Sequence, residues 1–82
     1  MRIDKFLKVS RIIKRRTVAN EACDAARVTV NGRAAKASYD VREGDIIEVA
    51  FGTRAIRIRV LDVKDSTKKA DAAEMYEVLP NS

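Results

Sequence analysis

Seven cations, Arg2, Lys5, Lys8, Arg11, Lys14, Arg15 and Arg16, crowd the first sixteen residues, and only Asp4 opposes them. Seven cations less one acid leave +6, a density that repels itself unless a counter-charge lies alongside. A phosphate backbone supplies one. Each phosphate neutralised releases condensed counterions, so a patch making on the order of four to six contacts binds strongly and loses affinity steeply as salt rises. Arginine adds planar, bidentate recognition of phosphate. On charge alone, however, a basic helix is as readily a solvated face as a binding surface.

The positive charge is local. Residues 1–36 hold ten Lys or Arg against three acids, a net +7, whereas residues 37–82 hold seven against nine, a net −2, within a whole-chain charge of +5. Cys23 is the single cysteine, which excludes an internal disulfide, and the lack of histidine removes both the usual zinc-ligand sets and the commonest general base. No metal, cofactor or catalytic residue is expected; the chain reads as a binding module rather than an enzyme. No apolar run approaches the roughly 20 residues that span a bilayer, and no signal-peptide pattern opens the chain, so a cytoplasmic protein is expected. Insertion of Phe6 and Leu7 into an anionic membrane surface is disfavoured, because Ile3, Phe6, Leu7 and Ile13 are the large apolar residues available to pack the fold.

These residues must be positioned by helices. Ile3, Phe6, Leu7 and Ile13, with Val9 and Ile12 beside them, recur at three- and four-residue spacings and predict a helix over roughly residues 3 to 13, with the cations largely off its apolar side. Asp4 suits the helix start, where a carboxylate caps free amides. Thr17 is a plausible N-cap for a second helix with Ala19, Ala22, Cys23 and Ala26 on one face. Such small residues allow close approach, and Cys23 belongs to that packing face.

A sheet follows. Val28 and Val30 alternate before Asn31-Gly32, a strong hairpin signal. Turns at Glu43-Gly44-Asp45 and Gly52-Thr53 lead into the alternating runs Ile47, Val49, Phe51 and Ile56, Ile58, Val60. Arg57 and Arg59 fall on the opposite face, as solvated charges or an auxiliary RNA contact. Asp65-Ser66-Thr67 predicts a turn and cap before a short helix over about Lys68 to Met75, and Tyr76, Val78 and Leu79 a final strand that Pro80 ends. The aromatics are Phe6, Tyr39, Phe51 and Tyr76 alone, and periodicity places Phe6 and Phe51 on core faces. A base-stacking platform is not expected, which favours folded RNA read by shape and phosphate.

The run Arg2-Ile3-Asp4-Lys5-Phe6-Leu7, then Ser10-Arg11, the segment from Thr17 through Ala22, Val28-Thr29-Val30-Asn31-Gly32 and Gly44-Asp45-Ile46 together resemble the S4 RNA-binding domain family over residues 1 to about 51. One departure is Ala37, where many members carry proline. The succession of elements, helices first and a small sheet after, already predicts an α+β chain; the resemblance implies its S4-like (αL motif) form, with a two-helix start packed on a small, mainly antiparallel sheet and a short C-terminal helix. Length and the lack of a repeat or linker predict a single domain over 1–82, in which the resemblance implies a core motif over about 1–51 and an extension over about 52–80.

The whole chain, including Lys14-Arg15-Arg16-Thr17, Lys36-Ala37-Ser38 and Thr67-Lys68-Lys69 to Met75-Tyr76, further resembles small stand-alone members of that family that serve bacterial ribosome-associated quality control. This implies a monomeric, ribosome-associated factor that binds ribosomal RNA of the large subunit and peptidyl-tRNA. It would support alanine tailing of stalled chains beside a tailing elongation factor. A recycling or assembly factor of the same family is the alternative; a module targeting an RNA-modifying enzyme is disfavoured by the short chain. Carried over position by position, the RNA-binding surface falls on Arg2, Lys5, Lys8, Arg11, Lys14, Arg15, Arg16 and Lys36, with Arg2 and Arg16 foremost.

Overall fold

Helical spacing of large apolar residues is satisfied at once at the N-terminus: in the computed structural model, which describes residues 1–65 and 68–80, Ile3, Phe6 and Leu7 are fully buried on one side of helix α1 (Ile3–Val9). The helix is shorter than its apolar pattern predicts. Arg11 takes a left-handed conformation (φ 64°), its amide bonds the Lys8 carbonyl at 3.1 Å, and the Ile13 amide returns to the Leu7 carbonyl at 3.0 Å. This closure satisfies carbonyls of the last turn and brings Ile13 back to the core, so its periodic position is met by a turn and not by a continued helix.

Helix α2 (Arg16–Asp24) begins one residue before Thr17. Arg15 occupies the N-cap position without a side-chain cap bond, so the expected Thr17 cap is corrected: that residue lies inside the first turn. Ala19 and Cys23 are buried, Ala22 is half-buried, and α1 packs closely on this small-residue face. Burial, then the charges of Asp4 and Asp24, push the Cys23 thiol above its ordinary range, consistent with packing rather than reactivity. Ala26, expected on the same face, lies beyond the helix end, exposed and left-handed (φ 57°). Its amide bonds the Cys23 carbonyl at 3.0 Å and that of Arg27 bonds the Ala22 carbonyl at 2.9 Å. This is a Schellman closure with alanine where glycine is usual.

The strands β1 (Val28–Val30), β2 (Arg33–Ala34), β3 (Ile46–Phe51), β4 (Arg54–Val60) and β5 (Tyr76–Leu79) form one sheet in the order β2-β1-β3-β4-β5, and every pairing is antiparallel. Asn31 and Gly32 both have positive φ (52° and 83°), as a two-residue hairpin turn requires. Val28, Val30, Ile47, Val49, Ile58 and Val60 are buried in the same core as α1 and α2. Phe51 departs from this alternation: it is 45% exposed, at the end of β3. Helix α3 (Lys69–Glu74) sets Met75 into the core before β5. Ser66 and Thr67 of the expected turn and cap lie outside the described residues.

The segment between β2 and β3 is tied back to α1. The Ile3 amide bonds the Tyr39 carbonyl at 2.8 Å and the Asp4 amide the Ala37 carbonyl at 3.3 Å. Buried Asp45 braces it, accepting from Asn31 Nδ2 (3.2 Å), the Tyr39 hydroxyl (3.0 Å) and the Arg42 amide (3.0 Å). Among the described residues no helix is long and apolar enough to cross a membrane.

A left-handed alanine costs on the order of 1 kcal/mol relative to glycine, part of which glycine returns through its greater unfolded-chain entropy. Ala26→Gly is therefore expected to raise stability by up to about 0.5 kcal/mol, read as a higher urea midpoint with an unchanged slope.

Candidate functional site

An aspartate near a helix start ordinarily sits in water beside free amides. Asp4 is instead buried, its side chain 3% exposed, and the chain folds donors around it. Its Oδ1 accepts from the Lys5 amide at 2.7 Å. Arg2 approaches as a fork, Nε to Oδ1 and Nη2 to Oδ2, both at 3.2 Å. Arg16, from the first turn of α2, places Nη2 3.4 Å from Oδ1, and Asn20, one turn later on the same face, donates from Nδ2 to Oδ2 at 3.4 Å. Burial pushes this carboxyl up, but the bonds from Asn20, Arg2, the Lys5 amide and Arg16 together outweigh it and hold the group below the ordinary aspartate range.

The two arginines that the sequence places on either side of the first helix thus meet on one carboxylate. Their side chains remain half-exposed, at 50% and 47%, and neither spends its full set of five N–H donors on Asp4. The result is a pair of guanidinium groups fixed at the inner side and open at the outer.

The remaining predicted residues lie on and around α1 and its neighbouring loops. Lys8, Arg11 and Lys14, with Val9, line an open groove of about 320 Å³ where the left-handed turn leaves α1. Exposed Arg15 leads into α2. Lys36 is exposed and immediately precedes Ala37, whose carbonyl receives the Asp4 amide, so the loop after β2 joins the α1 end of the site. Lys5 differs: its ammonium pairs with Asp65 at 2.8 Å, which engages part of its charge within the fold. Asn20 is the contributor that sequence reading missed. Its one available signal was the four-residue spacing from Arg16.

The opposite face of the sheet is built differently. Arg59 pairs with Glu77 at 3.1 Å, and Arg57 stands directly across from Glu48 in the β3–β4 register. Cross-strand opposite charges stabilise the sheet and offset one another, which favours the solvated reading of both arginines.

Comparison with known proteins fits this geometry. The S4 domain family model matches residues 1–47. A protein of Streptococcus pneumoniae named RQC P-site tRNA stabilizing factor is 57% identical over 79 residues, covering 96% of this chain and 90% of that one. The protein of the same name in Bacillus subtilis is 54% identical over 79 residues, covering 96% and 92%. Among solved structures, the trimeric structure of Heat Shock Protein 15 from Vibrio cholerae superposes with a TM-score of 0.89 at 28% identity, covering 96% of this chain and 81% of that one. The α+β architecture expected from the residues is the one observed.

Because the folded Asp4 carboxyl titrates below its ordinary value, its contribution to stability is complete above the unfolded value of about 4 and is lost as pH falls through the lower folded value. Urea midpoints are expected to hold level above that range and to fall on acidification below it. In Asp4→Asn the group cannot titrate, so this acid limb should be shallower than in the parent protein.

Proposed function

The chain belongs to the S4 domain family, alongside the proteins named RQC P-site tRNA stabilizing factor, and from that premise we propose that it binds ribosomal RNA and peptidyl-tRNA on the large ribosomal subunit during ribosome-associated quality control. It acts in the cytoplasm as a monomer, makes no covalent step of its own, and supports alanine tailing of the stalled chain by keeping the tRNA in place beside a tailing elongation factor. One observation carries the reading: Arg2 and Arg16, from the cation-rich first sixteen residues, are anchored together on buried Asp4, in a chain similar over 96% of its length to proteins named RQC P-site tRNA stabilizing factor.

The geometry suits such a task. Arginines already ordered on Asp4 lose less side-chain freedom on meeting a phosphate, so more of each charge-assisted bond appears as affinity. Phosphate contacts fix register and orientation and need not read bases. Arg2 and Arg16 share Asp4, and Lys8, Arg11 and Lys14 line one groove, so two groups of cations are available to separate phosphates. A body that touches ribosomal RNA and tRNA at once turns the second contact into an intramolecular one and raises the residence of both. That is stabilisation by linkage, and it requires no catalytic group.

Sedimentation with purified large subunits, empty or carrying peptidyl-tRNA, tests the reading. Preference for loaded subunits is expected; equal binding to both would favour an assembly role over rescue. Arg2→Ala with Arg16→Ala should weaken binding by about 100-fold, as loss of two charge-assisted bonds implies, lower the salt slope by roughly 1.5 and abolish tailing. Tailing that survives this double variant contradicts the proposal. Asp4→Asn separates held geometry from charge: it adds one positive unit yet should weaken binding about tenfold through loss of the anchored pair. Tighter binding would mean that charge alone is at work.

A further inference from the structure

Phe51 is an aromatic ring that alternation assigns to the core and the fold leaves open. It ends β3, and it is 45% exposed. Val18, also 45% exposed, stands on α2 across a groove of about 260 Å³ that has Ile13, Ala22 and Ala50 among its apolar walls. Exposed Arg27 and Glu21 complete the lining. Arg54 is the cross-strand partner of Phe51 and is exposed; directly opposed residues project from the same face of a sheet. Ile13 directly precedes Lys14, and Val18 lies two residues after Arg16, so the groove adjoins the basic turn between α1 and α2.

We propose that this groove receives one unstacked nucleobase of the bound RNA, with Phe51 as its stacking face. The inference rests on the RNA-binding reading above. Unpaired bases are held by stacking on aromatic rings and arginine planes and by hydrogen bonds to their edges. Phe51 supplies the ring, the Arg27 guanidinium donates to ring nitrogens or carbonyl oxygens, and the Glu21 carboxylate accepts from an exocyclic amine. A donor and an acceptor together suit a base edge, whereas phosphate alone would be repelled by Glu21. Arg27 and Arg54 beside the ring, with Lys14, Arg15 and Arg16 adjoining, draw a polyanion to this position. A partner helix would instead set anchors over successive turns, and among the described residues the groove offers only Val18 and Phe51 as exposed large apolar walls. The RNA class is accordingly a folded RNA with an unpaired loop or bulge, in preference to an uninterrupted duplex.

The chain contains no tryptophan, so Phe51→Trp puts a single indole in the groove. Two fluorescein-labelled probes are compared at moderate salt: an RNA hairpin with an unpaired loop, and a blunt duplex of the same stem. Both should bind by anisotropy, and the hairpin alone should quench the indole. Phe51→Ala should weaken hairpin binding about tenfold and change duplex binding within about twofold, as loss of a single base–aromatic stack requires. Unchanged hairpin affinity in Phe51→Ala, or an indole insensitive to the hairpin while anisotropy reports binding, overturns the proposal and leaves RNA binding intact. Emission that shifts with protein concentration in the absence of RNA assigns the groove to a second copy of the chain and also overturns it. Failure of the parent protein to bind either probe removes the RNA-binding reading itself.

Discussion

An ionised carboxylate taken out of water must be ringed by donors or it will protonate or unfold the structure around it, and Asp4 imposes that demand in the first turn of α1. Its donors come from before α1, from within α1 and from α2. Meeting them all sets where α2 starts relative to α1, because Arg16 and Asn20 reach the same carboxylate only if that helix crosses with this face inward. The small residues Ala19 and Cys23 make the crossing possible by letting the helices approach. A polar requirement and an apolar one therefore select the same geometry.

The cationic surface follows from that arrangement. Like charges on neighbouring arginines would ordinarily drive the side chains apart; a shared anion holds Arg2 and Arg16 together and leaves their outer edges to solvent. The left-handed turn at Arg11 continues the surface by ending α1 early and turning Lys14 and Arg15 outward while Ile13 goes in. The loop after β2 closes it, since the Asp4 amide bonds the Ala37 carbonyl and Asp45 braces the same loop from beneath. On the far face of the sheet Arg57 and Arg59 stand opposite glutamates, which offsets their charge there.

Much of this was legible locally. Alternation of valines and isoleucines identified the strands, Asn31-Gly32 identified the hairpin, and the charge count of residues 1–16 identified the surface, because each signal depends only on neighbours along the chain. Four local readings needed revision, one of them Ala26, which lies past the end of the second helix and is exposed. The first helix stops at Val9 although its apolar period runs on, since a turn through Arg11 buries Ile13 equally well. Thr17 yields the cap position to Arg15, placing Arg16 inside the helix that aims it at Asp4. Phe51 belongs to β3 but breaks the buried alternation, left exposed at the tip of the β3–β4 hairpin.

The sequence by itself determined that this is an α+β chain with an apolar core, a basic N-terminal stripe and no histidine or cysteine pair with which to bind metal, because composition and periodicity are properties of the chain alone. Only the tertiary structure decided that Arg2 and Arg16, fourteen residues apart, share one buried anion, that Asn20 belongs with them, and that Phe51 is open while Phe6 is sealed. Those outcomes depend on how α1, α2 and the sheet cover one another, and no window of neighbouring residues contains that information.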